Sequence, residues 1–331
     1  MNFSNNFLSA TQGVKDVVIT THIFPDADGI GSQIGLSRAL KQKSIKSYCV
    51  NHEDLPSRFC YLDTDKDIKS LSKMKEELPK SIDLLIVTDT NDLDRIGDVK
   101  ELETRAKKVL YIDHHPCKEL PAGEHCIVPT KAATGELVAQ ILLDNQFELT
   151  KEIALPLFTA ILVDTSSFRY PNVTSATHQI AQRLLDTGIS ANDVYNKAYG
   201  TKKVQYLHLL GNILSSAQAT KNGKIAWITF DQSLIENHKS HVDDTHSFIN
   251  HLLILDGVKI ACMFRIEEKI IKLSLRSHGD IDVGTIASKL NGGGHSHSAA
   301  VRFDRNQADE VIISQAILFM EDILEDWIKK H

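Results

Sequence analysis

DVVITTHIFPDADGIGSQIGLSRALKQ, residues 16–42, carries the pattern that decides the fold. Its first five residues are a nearly continuous apolar run, as a strand covered on both faces requires. Residues 30–42 repeat apolar positions at helical spacing. Between them lies a polar loop whose Gly29 and Gly31 let the chain turn tightly into the helix. Three runs of the same kind follow, KSYCV at 46–50, DLLIVT at 83–88 and KVLYI at 108–112. Helical patterns accompany them at 68–78, 134–146, 151–163 and 174–187. Strands alternating with helices predict an open α/β fold, a doubly wound, mainly parallel sheet.

The stretch 190–220 reads as one or two helices, and the domain junction falls there. The expected division is a first domain over 1–190, a helical linker over 191–222 and a second domain over 223–331. KIAWITF at 224–230 restarts as a strand. DDTHSFINHLL at 243–253 reads as a helix with an Asp at its start. VKIACMFRI at 258–266 and KIIKLSLRS at 269–277 read as a hairpin. A helix at 281–290 runs into Gly292, Gly293 and Gly294, and 307–330 forms a long amphipathic helix. These elements predict a second, smaller α/β domain.

Bulk properties narrow the function. The chain has 331 residues, enough for two domains, and its 42% apolar and 24% charged content is that of a globular protein. A formal net charge of −6 is a poor match to a protein that grips long duplex nucleic acid, but it admits a short anionic ligand. The opening MNFSNNFLSATQG lacks the blocks of a signal peptide, and no stretch has the apolar length to span a bilayer. Five scattered cysteines without a CxxC pair suggest neither a disulfide framework nor a zinc knuckle. A cytoplasmic protein without membrane partners is expected, with room for a homodimer.

Four clusters carry the chemistry. His22, Asp26 and Asp28 follow the first strand, Asp89 ends another, and Asp113, His114 and His115 end a third. Asp164 closes an apolar helix, with Arg169 shortly after. Ligands of open α/β sheets bind outside the carboxyl ends of the strands, where three of the clusters fall. Each piece alone has an ordinary explanation, since strand-end aspartates commonly cap helices or make turns. Together, five carboxylates and three imidazoles converging on one crevice repel each other unless cations sit among them. Such a donor set suits manganese or magnesium. Two ions sharing a bridging carboxylate suit in-line attack on phosphorus.

The combination HxxPDxDGxGS at 22–32, TDT at 88–90, DHHP at 113–116 and VDTSSFR at 163–169 resembles the DHH phosphoesterase superfamily. SLRSHGDIDVGTIASKLNGGGHSHSAAVRF at 274–303 resembles the DHH-associated C-terminal domain. The size resembles the subgroup of nanoRNases, 3′-phosphoadenosine-5′-phosphate (pAp) phosphatases and cyclic-dinucleotide phosphodiesterases. The resemblance implies that His22 and Asp26 hold one Mn²⁺, with Mg²⁺ or Co²⁺ as alternatives. Asp28, His114 and Asp164 would hold a second ion, and Asp89 would bridge the two. Asp113 would orient its neighbours, and His115 would face the substrate phosphate. Ala27 stands where the motif commonly has glycine, a change of one methyl group.

In the second domain the resemblance implies that Arg276, Ser277, Gly293, Gly294 and His295 hold the distal part of the substrate across a cleft. GGGH alone also reads as a helix stop and turn. Arg169 is a candidate phosphate ligand, Arg95 a partner for an acidic neighbour, and His278 and His297 surface residues. The expected function is hydrolysis of nanoRNA, linear dinucleotides or pAp to mononucleotides, with cyclic dinucleotides as the alternative substrate. A catalytically dead nucleotide sensor and a nucleic-acid-binding module of a larger repair complex are the rivals from other classes.

Overall fold

In the computed structural model, residues 3–330 are described apart from Lys118, Thr201, His241, His246 and His278. The chain divides into two compact units, Met1–Thr201 and Lys202–His331.

The first unit is built on six parallel strands: β1 (Asp16–Thr21), β2 (Lys46–Asn51), β3 (Ile68–Ser70), β4 (Leu84–Thr88), β5 (Val109–Asp113) and β6 (Glu124–Ile127). Their order is β3-β2-β1-β4-β5-β6. Side chains alternate across the sheet. Val17, Ile19, Leu84, Ile86, Leu110 and Ile112 pack into a core on one face. The helices α1 (Phe3–Thr11), α4 (Thr134–Asp144), α5 (Lys151–Asp164) and α6 (Ser175–Leu185) contribute to that core. So do α2 (Ala27–Gln42) and α7 (Ala191–Ala198). Val18, Val50, Leu85, Val87 and Tyr111 fill the other face with α3 (Leu71–Met74) and a 3₁₀ run at Leu93–Arg105. Burial on both sides explains the continuous apolar strands.

The helix expected over 68–78 is a correction. Ile68–Ser70 is an edge strand, followed only by the short α3. Asp63 accepts the amides of Asp67 and Ile68 at 2.9 and 3.0 Å, and Asp54 accepts that of Ser70 at 3.3 Å, which holds the chain extended.

The second unit has a six-stranded sheet of order β11-β12-β10-β9-β8-β7. It opens with α8 (Val204–Leu214), β7 (Gln218–Ala219), β8 (Ile225–Asp231) and α9 (Gln232–Asn237). The hairpin β9 (Ile260–Ile266) and β10 (Ile270–Ser277) is antiparallel. Then come α10 (Val283–Lys289), β11 (Gly293–His295), β12 (Ser298–Asp304) and α11 (Asp309–Lys330). One face of this sheet packs on α10 and α11, the other on α8. Two 3₁₀ stretches, Val242–Thr245 and Phe248–Ile254, replace the helix expected at 243–253. That segment is rich in His, Asn, Asp and Thr, which are weak helix formers, while Phe248, Ile249 and Leu252 still reach the core. Among the described residues no helix is long and apolar enough to cross a membrane.

Candidate metal centre

The strand order reverses between β1 and β4, and crevices at such switch points bind ligands. His22 follows β1, Asp89 follows β4, and Asp113 ends β5. Asp26 caps α2, its Oδ1 accepting from the amides of Asp28 and Gly29 at 2.9 and 3.1 Å. The helix therefore starts at Ala27, and Gly29 and Gly31 lie inside it rather than in a turn. They allow close packing instead. A Cβ on Gly29 would sit 2.3 Å from Thr21 Oγ1, and one on Gly31 2.3 Å from the Pro156 carbonyl oxygen.

Three overlapping groups of ligand atoms form here, each with all its atoms within 4.8 Å of one another. They are His22, Asp26 and Asp89; Asp28, His114 and Asp164; and Asp89, His114 and His115. Asp28 and Asp89 are each 1% exposed, and His22 is 8% exposed. His22 Nδ1 donates to the Ile23 carbonyl at 2.8 Å, and His114 Nδ1 donates to that of Lys131 at 3.2 Å. A carbonyl only accepts, so Nδ1 of each ring is its donor and Nε2 is the atom directed inward. His22 Nε2 lies 3.4 Å from Asp89 Oδ2. His114 Nε2 lies 3.3, 3.7 and 3.9 Å from Asp164, Asp28 and Asp89. The carboxylates gathered around these two nitrogens are buried and repel one another. A cation among them turns every contact attractive, so the residues fit a metal centre.

The electrostatics agree. Burial, then the charges of Asp28, Asp26, Asp164 and Asp113, pushes the Asp89 carboxyl well above the ordinary range. Desolvation and the same crowding raise Asp164. Burial also raises Asp28, against an opposing pull from His114. Asp113 goes the other way. Burial alone would raise it, but its hydrogen bond and charge interaction with His115 hold it low. His115 Nδ1 lies 2.7 Å from Asp113 Oδ1, and Asn91 Nδ2 donates to Asp113 Oδ2 at 2.7 Å.

Sequence reasoning missed the far wall. The α4 N-terminus donates the amides of Thr134 and Gly135 to Asp28 at 2.7 and 2.8 Å. Thr134 Oγ1 donates to Asp89 Oδ1 at 2.9 Å. Buried Glu136 accepts from Lys131 Nζ at 2.8 Å and the Ala132 amide at 3.0 Å, steadying the carbonyl that orients His114. The one available signal was that KAATGE opens a helix, and a helix N-terminus favours an anion.

The other candidates have these surroundings. Arg169 is exposed in the turn after α5, where Nε donates to the Ser166 carbonyl and Nη2 to its hydroxyl, both at 2.8 Å. Arg95 makes no ion pair among the described residues, and of its acidic neighbours Asp94 pairs with Lys100 and Asp98 with His52. In the second unit, Arg276 Nη1 donates to the Leu275 carbonyl at 2.9 Å. Ser277 is buried and donates to the Ile281 carbonyl at 2.6 Å, which leaves only an acceptor, a poor match to phosphate. His297 is half-buried rather than on the surface, 3.1 Å from Ser277 Oγ. Gly293 and Gly294 belong to β11, and only Gly294 (φ 148°) needs glycine's backbone freedom. The side chain of His295, and all of His278, lie outside the described residues.

Residues 16–163 match the DHH family N-terminal domain, and residues 223–322 match the DHHA1 domain. The chain is similar to the bifunctional oligoribonuclease and PAP phosphatase NrnA of Thermus thermophilus, with 29% identity over 309 residues, 92% of this chain and 90% of that protein. It is similar to the NrnA of Bacillus subtilis, with 27% identity covering 92% of this chain and 95% of that one. A crystal structure of an exopolyphosphatase-related protein from Bacteroides fragilis superposes with a TM-score of 0.87 at 26% identity, over 98% of this chain and 96% of that one. With both matches in order along the chain, and the acidic and histidine groups gathered at the sheet's switch point, the protein carries a DHH family N-terminal domain followed by a DHHA1 domain.

Proposed function

We propose that this chain is a two-metal phosphoesterase that hydrolyses short nucleotides, nanoRNA, linear dinucleotides or pAp, to mononucleotides or nucleosides. The observation that carries the reading is the pair of imidazole Nε2 atoms directed at buried carboxylates around Asp89. His22, Asp26 and Asp89 would hold one ion, and Asp28, His114 and Asp164, with Asp89 shared, the other. Mn²⁺ fits this mix of carboxylate oxygen and imidazole best, ahead of Mg²⁺ or Co²⁺. When bound, the ions supply Lewis acidity toward the phosphoryl oxygens.

The chain's own groups do the rest. Water adds to phosphorus in line with the scissile ester, the P–O bond breaks, and the leaving oxygen takes up a proton. Asp113 retains its charge and orients the His115 ring through the 2.7 Å contact at Nδ1, which leaves Nε2 to hand over that proton. Asn91 holds Asp113 from its other oxygen. We assign Arg169, Arg276, Gly293, Gly294 and His295 to the substrate's phosphates and distal part. A net charge of −6 favours a short anionic substrate over a long polymer.

The test is a substrate panel with Mn²⁺: pAp, di- to pentaribonucleotides and cyclic dinucleotides, with products separated by chromatography. Mononucleotide from the linear substrates, or adenosine monophosphate and inorganic phosphate from pAp, is expected. Tight binding of these nucleotides without turnover would replace the enzyme with a sensor.

A further inference from the structure

We propose that Phe24 is a stacking platform for the substrate's nucleobase, an inference that rests on the nucleotide reading above and names what recognises the base. Phe24 is 81% exposed, the most open of the large exposed hydrophobic residues described. A scattered apolar residue on a surface ordinarily needs no explanation. This one carries two further costs. Its φ is 55°, in the left-handed region that a bulky side chain rarely adopts. It also precedes Pro25, and the residue before a proline is disfavoured in helical conformations and pushed toward extended ones. A strained, solvent-facing aromatic is kept only where its surroundings impose it.

Those surroundings are the metal-site loop itself. Phe24 is the middle residue between His22 and Asp26, which share one group of candidate ligands with Asp89. The loop is fixed on both sides of it. The Ile23 amide donates to the Arg95 carbonyl at 2.7 Å, and the Ile23 carbonyl accepts from the His22 ring at 2.8 Å. Arg58 Nη2 donates to the Pro25 carbonyl at 3.5 Å, and Asp26 is engaged in capping α2. The backbone on either side is held, so Phe24 projects from the apex of a preorganised loop. Its Cα lies two residues, at most about 7 Å, from the Cα of either ligand residue. A phosphate held at the metals places its nucleoside within reach of such a ring. The ring offers a flat apolar face, and every base has a face to lay against it, which confers a demand for a base without a demand for a sequence.

The test is calorimetric binding of adenosine 5′-monophosphate and of ribose 5-phosphate to the full chain loaded with Mn²⁺. The two ligands share the phosphate and differ in the base. The wild type is expected to bind the nucleotide more tightly. Phe24→Ala should weaken nucleotide binding roughly fivefold to a hundredfold, with ribose 5-phosphate changed less than about twofold. Phe24→Trp should restore the preference, which a role in shaping the loop would not do. Equal weakening of both ligands, an undiminished preference in Phe24→Ala, or no preference in the wild type would each overturn the proposal. Failure of hydrolysis in the wild type would count against the phosphoesterase reading and leave this binding comparison intact.

Discussion

Asp89→Asn should stabilise the metal-free protein and destabilise it, relative to wild type, once metal is added. The substitution keeps the size and an oxygen that can still accept from Thr134 Oγ1 at 2.9 Å. It removes a charge that lies within 4.8 Å of an Asp26 oxygen. At an effective dielectric near 20, two charges at that separation repel by about 3 kcal/mol. Asp26 is exposed and partly screened, which brings the net relief to about 1–3 kcal/mol. The new amide can also donate to the His22 Nε2 lone pair, 3.4 Å from Asp89 Oδ2. For a unit of this size, 1 kcal/mol shifts Tm by about 2–4 °C, so the variant should melt about 2–12 °C higher in EDTA. Adding Mn²⁺ at a hundred times its Kd gives the wild type about 2.7 kcal/mol. The variant, lacking the shared carboxylate, should gain little and lose hydrolysis. Differential scanning calorimetry at about pH 8, in EDTA and in Mn²⁺, reads both halves. Equal melting in EDTA together with equal stabilisation by Mn²⁺ would refute the reasoning that Asp89 is a crowded anion awaiting cations.

Three further outcomes follow from the same geometry. Thr134→Val removes the hydroxyl donor to Asp89 without changing shape, and should cost roughly tenfold to a hundredfold in Mn²⁺ affinity by calorimetric titration. In EDTA, Tm should fall as pH rises above about 4. Asp28, Asp89 and Asp164 hold their protons more tightly when folded than at the ordinary 3.8, so folding is favoured while they are protonated and that advantage is lost as they ionise. Asp113 is held low, so its own contribution is complete by about pH 4 and does not offset the fall above it. Mn²⁺ should flatten the fall, and a Tm that rises with pH above about 5 in EDTA would contradict it. Arg276→Ala should lower kcat/KM for nucleotides roughly tenfold to a hundredfold, since a charged hydrogen bond contributes about 1.5–3 kcal/mol. A minimal aryl phosphate ester should be spared, and equal loss on both substrates would remove Arg276 from substrate binding.

The sequence disclosed what repeats or clusters along the chain. The apolar runs at β1, β2, β4 and β5 were visible because burial on both faces leaves no polar side in the strand. Asp89 stood out as a lone carboxylate at a strand end. Contacts made across the fold were hidden. Thr134 reaches Asp89 from 45 residues away, and the α4 amides reach Asp28 from 106 and 107 away. No spacing rule encodes such pairs. The edge strand β3 has the periodicity of a helix in IKSLSKMKEEL, while the amide-binding Asp63 and Asp54 that hold it extended lie outside that window. Gly29 and Gly31 suit a tight turn and close packing equally well by sequence, and only the neighbours Thr21 and Pro156 decide between them.

The central claim is that the carboxylates and imidazoles at the β1–β4 switch point form a metal-dependent centre for phosphoester hydrolysis. Its most direct test is turnover of pAp and a linear dinucleotide by the metal-stripped full chain, titrated with Mn²⁺ and run beside Asp89→Asn. We expect no product in EDTA, product restored in proportion to bound Mn²⁺, and none from the variant at any metal concentration. Hydrolysis that persists in EDTA, or a fully active Asp89→Asn variant, would contradict the account.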